Sequence, residues 1–180
     1  MVTDMDGTFT NVVEEVDASA RESGNQPLDP SSPEKIAKVI HEIYRTEQLS
    51  ERQSKDPSLA EWPNLVEGLK ESNRQQADHI FKKLPRIGCA TRFVKDREVA
   101  LMTFTDAEVE LLAEMEHARW NVERLQDGWK LGEKDVTKKI SPCLVSWSEL
   151  PDNVKEWDRK TVKKIPEFLA QVNIEVYRLR

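Results

Sequence analysis

Apolar side chains first recur at helical spacing at Ile36, Val39, Ile40 and Ile43, behind Ser32 and Pro33, a capping residue and a first-turn proline. A helix is predicted from Ser32 onward. A second is predicted from about Glu67 to Arg86, with Gly88 as its stop. A third starts at Thr105, whose hydroxyl and Glu108 form a capping box, and runs to about Gln126 before Gly128. A fourth begins near Pro151. Two β-prone tails, ATRFV from Ala90 and IEVYRL from Ile174, are expected to pair as edge strands. Ahead of these elements, residues 1–30 end in a run rich in Ser, Pro, Gly and Asn and read as a flexible N-terminal arm.

The pattern repeats. Shifted by 85 positions, the stretch from Pro57 to Ile87 lies without a gap on that from Pro142, with nine of 31 positions identical, among them Leu59/Leu144, Trp62/Trp147, Leu65/Leu150 and Arg74/Arg159. Upstream the register is 76, which sets Ala37 on Ala113, His41 on His117 and Tyr44 on Trp120. The first copy is nine residues shorter between its helix and the PxLxxWxxL connection, and it lacks the GWKLG stretch around Trp129. The expected fold is therefore mainly α (α+β): two pseudo-twofold-related repeats, 31–95 and 96–180, each of two helices and a short strand, sharing one core.

On the third helix Leu111, Met115, Ala118, Val122 and Leu125 draw an apolar stripe, which predicts the core face. Ala113, His117, Trp120 and Arg124 lie about 200° away, at 100° per residue. A tryptophan on that opposite face calls for a second partner, either the other repeat or a ligand. The twofold relation would bring Ala37, His41 and Tyr44 toward the same cleft, with Trp129 as a lid over it or a plug in a Gly-bounded hairpin. Trp62, Trp147 and Trp157 read as core or lobe anchors. Arg74 and Arg159 read as salt-bridge pins of the second helix of each repeat, and His79 as exposed.

At 180 residues the chain is long enough for one domain or two small packed lobes. A net charge of −6 argues against a nucleic acid or an anionic membrane as partner. Cys89 and Cys143 are too few for a disulfide framework or a thiolate metal site, which points to a cytoplasmic protein. No stretch reaches the roughly 18 apolar residues of a membrane span.

Two resemblances follow from motifs. VTDMDGTFT, Val2 to Thr10, is similar to the first motif of the haloacid dehalogenase superfamily, which implies Asp4 as a nucleophile and Asp6 as its acid/base. Only Met1 and Val2 precede Thr3 where a buried strand is needed, and no GDxxxD or DD pair follows to complete a metal site. Catalysis, a metal and a cofactor are accordingly not expected.

The second resemblance covers about 65 residues. HxxW at His117 and Trp120, GWxxG from Gly128 to Gly132, PxLxxWxxL from Pro142 to Leu150 and KxxDR from Lys155 to Arg159 together resemble the RyR domain, the repeat of ryanodine receptor channels that also occurs in soluble bacterial proteins. The first repeat looks like a divergent member, with Tyr44 for the tryptophan and Gln48 where the second has Arg124. The resemblance implies a peripheral clamp whose cleft, lined by the HxxW positions, accepts adenine nucleotides. Two aromatic faces suit a purine and a guanidinium suits phosphate.

The expected function is thus a non-catalytic module binding an adenine nucleotide or an NAD-derived signal such as ATP, ADP-ribose or a cyclic nucleotide. Its expected site residues are Ala37, His41, Tyr44, Ala113, His117, Trp120, Arg124 and Trp129. The alternative is a protein-interaction or oligomerisation module using the same HxxW face, in a homodimer or a larger receptor assembly.

Overall fold

A computed structural model describes residues 32–49 and 56–179. The arm, with Asp4 and Asp6, lies outside the described residues. Helix α1 spans Ser32–Leu49. Two short 3-10 turns, Pro57–Leu59 and Trp62–Asn64, lead from it to α2, Glu67–Lys83. A further turn, Leu84–Ile87, ends at Gly88 with φ +66, and strand β1 follows, Cys89–Phe93. Helix α3 runs Asp106–Gln126 behind the capping box of Thr105 and Glu108, a start worth about 1 kcal/mol. Strands β2, Lys130–Leu131, and β3, Ile140–Ser141, come next. A turn at Trp147–Glu149 leads into α4, Asp152–Lys163, then α5, Ile165–Ala170, and β4, Ile174–Arg178.

The expected fourth helix is split because Pro166 stands in its path: a proline has no N–H to give and clashes with the preceding turn, so the chain breaks at Lys164 and restarts as α5. The two β-prone tails do pair. β1 and β4 run antiparallel with Thr91 opposite Val176, and the ladder extends to Val94 N–H on Asn173 O at 2.8 Å and Leu179 N–H on Gly88 O at 2.8 Å. Thr91 and Val176 are themselves 85 positions apart, so the centre of the ladder falls on a pair of corresponding positions.

One core joins the halves. Ile36, Ala37 and Ile40 of α1, Ala77 and Ile80 of α2, Val109, Leu112 and Ala113 of α3, and Phe168 and Leu169 of α5 belong to a single buried cluster closed by Ile174 and Val176 of β4. Polar ties recur at the spacings read from the sequence. Arg74 donates from Nε to Glu34 at 2.7 Å and also bonds Glu67, clasping α2 to α1. Arg159 donates from Nε to Glu110 at 2.8 Å and from Nη1 to Asp152 at 2.8 Å, clasping α4 to α3. Hydrogen bonding to these carboxylates raises both guanidinium pKa values, so the clasps are charged at any ordinary pH.

Three expectations are corrected. Helix α3 is turned by about half a revolution from its apolar stripe: Leu111, Val122 and Leu125 are 41%, 54% and 60% exposed, and Ala118 is exposed as well, while Val109, Leu112, Ala113, Glu116 and His117 are buried. The buried face holds two ionisable groups because each finds partners there. Glu116 pairs with Lys83 of α2 and with Arg119, and His117 meets a carbonyl and a carboxylate. Burial alone would raise the pKa of Glu116, but Lys83 and Arg119 reverse this and hold the carboxyl below its usual range. Trp157 is no anchor, being exposed on α4. His79 is not exposed but half-buried, with Nδ1 lacking a hydrogen-bond partner.

Candidate functional site

The site at the end of α3 is made by the way that helix stops. Gly128 takes φ +82, its N–H bonds Leu125 O at 3.0 Å, and Trp129 N–H bonds Arg124 O at 2.9 Å. This is a Schellman stop, and it folds Trp129 back over the last turn. The indole of Trp129 consequently lies 5.0 Å from the Arg124 guanidinium, whose other neighbour is the Trp120 ring at 5.5 Å. His117 stacks on Trp120 at 5.9 Å with the planes 22° apart. Four groups thus form a continuous stack: His117, Trp120, Arg124 and Trp129.

The second glycine of GWxxG has a different task. A Cβ on Gly132 would come within 2.8 Å of the Ile140 side chain, so only glycine lets β2 lie against β3. These strands pair in parallel, Lys130 with Ile140 and Leu131 with Ser141, and not as the expected hairpin. Lys139, next to Ile140, donates to Asp127 Oδ1 at 2.8 Å, and Trp129 Nε1 donates to Asp127 Oδ2 at 3.0 Å. Hydrogen bonds from Lys139 and then Trp129 hold the Asp127 carboxyl below its ordinary pKa. The outer indole is therefore latched in place by a charged hydrogen bond.

At the inner end, His117 Nε2 lies 2.9 Å from Val145 O and Nδ1 lies 3.6 Å from Asp158. Burial disfavours charge on the ring, yet hydrogen bonds to Asp158 and Val145 outweigh it and raise its pKa. Asn121, one turn on from His117, donates from Nδ2 to the same carbonyl at 2.9 Å and leaves its Oδ1 buried without a partner. Nε of Arg124 is likewise buried and unpartnered, and the guanidinium makes no ion pair among the described residues.

The other expected site residues make none of the ring contacts of this stack. Ala37 and Ala113 are fully buried in the common core. His41 is buried with Nε2 on Ala60 O at 2.7 Å and its ring 5.8 Å from Trp62. Its contacts correspond to those of His117 with Val145 and Trp147, at 5.9 Å, so each histidine braces the connection that follows its own helix. Tyr44 is 38% exposed on α1. Two surface hollows lie elsewhere, about 520 Å³ beside residues 92–97 and about 230 Å³ beside Phe81, Cys89 and Leu179. Among the described residues no group of three His, Cys, Asp or Glu is gathered to hold a metal.

Asn121 and Asp127 were missed from the sequence. Asn121 stands four residues after His117, on the same helix face, and that spacing was a usable signal. Asp127 precedes the glycine that makes the stop, where its role depends on Lys139, twelve positions away.

The family model for the RyR domain matches residues 94–178, from the end of β1 to the end of β4. The match covers a little under half of the chain and supports a ryanodine receptor-type module in its second half. No helix among the described residues is long and apolar enough to cross a membrane.

Proposed function

We propose that the chain is a tandem of two RyR-like lobes acting as a non-catalytic module, and that it holds an adenine-containing, phosphate-bearing small molecule against the stack at the end of α3. The tandem reading is supported by the ties that recur at fixed offsets, Arg74–Glu34 with Arg159–Glu110 and His41–Ala60 with His117–Val145. The ligand reading rests on one observation. Arg124 is a cation held between two indoles, with no ion pair of its own among the described residues, since the nearby Asp127 is bonded to Lys139 and Trp129, and with a buried Nε left unpartnered.

A partly buried guanidinium without an acceptor is costly, and cation–π contacts of about 1–2 kcal/mol offset only part of that. A phosphate supplies the missing acceptor. The indoles supply a stacking surface worth roughly 1–3 kcal/mol per base. Together these terms reach micromolar affinity. A non-catalytic role agrees with the way His117 is used: both its ring nitrogens are engaged by Val145 and Asp158, which leaves no free base at the stack.

Calorimetry with ATP, ADP-ribose, a cyclic adenine nucleotide and inorganic phosphate tests the proposal. At least one adenine compound should bind more tightly than phosphate, and Arg124→Ala should weaken it at least about tenfold, the loss of one charge-assisted hydrogen bond. Absence of heat with every compound, or equal affinity in Arg124→Ala, would refute it.

A further inference from the structure

The guanidinium of Arg124 sits where a stacked base would sit, and we propose that it is a plug. It fills the slot between Trp120 and Trp129 in the free protein, and a phosphate carried on the ligand draws it out so that the base of the same ligand can enter. The stack then accepts nucleotides and rejects nucleosides. This inference rests on the ligand reading above and adds a rule of selection to it.

Distances carry the first step. Paired aromatic rings stand with their centroids about 4.5–7 Å apart. The Arg124 guanidinium lies 5.5 Å from the Trp120 ring and 5.0 Å from that of Trp129, inside this range on both sides. A guanidinium is planar and stacks on aromatic faces much as a base does. Base and guanidinium therefore compete for one place.

The second step is that the walls are braced and the plug is not. Trp120 is backed by His117, at 5.9 Å with the planes 22° apart, and His117 is fixed in turn by Val145 O and Asp158. Trp129 is latched through Nε1 to Asp127, which Lys139 holds by its other oxygen. Arg124 has the two ring contacts alone: its Nε is buried without a partner, and it makes no ion pair among the described residues. Arg119, five residues earlier on the same helix, shows the contrast, with bonds to both Glu116 and Glu123. Withdrawing Arg124 thus leaves an open slot between fixed walls, and the side chain that leaves is one still short of an acceptor. A phosphate beside the slot supplies that acceptor, whereas a neutral ligand offers the guanidinium nothing in exchange. The first half has no such device, since Gln48 stands in place of Arg124 and the GWKLG stretch around Trp129 has no counterpart there.

Calorimetry with adenosine and adenosine monophosphate, on the wild-type chain and on Arg124→Ala, tests the plug. The wild type should bind the monophosphate at least about a hundredfold more tightly than adenosine. In Arg124→Ala adenosine should gain about tenfold because the slot stands open, and the monophosphate should lose about tenfold, so that the preference falls to about one. The Arg124 Nε–H resonance gives a second reading that needs no variant. Shielded by two rings in the free chain, it should move downfield with the monophosphate and not with an equal concentration of adenosine. Adenosine binding no better to a folded Arg124→Ala chain than to the wild type, or an Nε–H signal unmoved by saturating monophosphate, overturns the plug and leaves the ligand reading standing. Absence of binding by every adenine compound to the wild-type chain refutes the ligand reading itself, and the plug with it.

Discussion

Two seams join the first half of the chain to the second, and they are built of opposite materials at corresponding positions. Where α2 meets α3, Lys83 pairs with Glu116, Arg119 bonds both Glu116 and Glu123, and Ser72 donates to Glu123 at 2.9 Å. Where α5 meets α1, the positions that correspond to Lys83, Glu116 and Arg119 are Phe168, Ile40 and Ile43, with the Lys164–Glu47 pair at the rim. On the tandem reading proposed above, one arrangement carries an ion pair at one seam and an apolar contact at the other, both partners changing together. A buried pair also fixes which surfaces meet, since any slip strands a charge.

The largest effect should come from breaking the charged seam halfway. Glu116→Leu leaves Lys83 buried without its anion and should cost about 3–5 kcal/mol in a denaturant melt. Adding Lys83→Met, which copies the logic of the apolar seam, should recover most of that loss. A double variant as unstable as the single one would show that the seams are not interchangeable.

Next come the two clasps, which the comparison says are equivalent. Arg74→Ala and Arg159→Ala each remove charge-assisted hydrogen bonds to a first helix, and each should lower the denaturant midpoint by a similar amount, less than Glu116→Leu does. A large inequality would break the correspondence between halves. Thr105→Ala, which undoes the cap of α3, should cost about 1 kcal/mol and has no counterpart test in α1.

At neutral pH the smallest effect belongs to His79, which acts through a pH dependence at the charged seam. Burial, with help from the nearby Lys83 charge, pulls the His79 pKa from 6.5 down to about 4. The folded state therefore binds fewer protons than the unfolded one between those values, so stability falls as pH drops through that window and is untouched above it. His79→Gln should flatten this acid-side loss in melting temperatures taken from pH 7 to pH 4.

What the sequence made legible was whatever depends on near neighbours or on exact repetition. The capping box at Thr105, the stop at Gly128, the pairing of the β tails and the two arginine clasps all follow from residue identity at fixed spacing. The buried face of α3 did not. Counting apolar residues favours Leu111, Val122 and Leu125, whereas the helix buries Glu116 and His117, whose partners Lys83, Val145 and Asp158 lie 28 to 41 positions away or on another helix. Periodicity ranks faces by apolarity and has no means of knowing that a charge will be met. The candidate site was half legible: His117, Trp120, Arg124 and Trp129 do come together, but as a stack within the second half, with Ala37, Ala113 and His41 buried and outside its ring contacts.

The central claim is that only the second half presents a ligand-ready stack, and the five indole N–H signals of Trp62, Trp120, Trp129, Trp147 and Trp157 report on it directly in a titration of isotope-labelled protein with an adenine nucleotide. The account predicts that Trp120 and Trp129 shift together and saturate, while Trp62, the anchor of the first half, stays still. Shifts led by Trp62, or no shift at Trp129 while nucleotide binds, would contradict it.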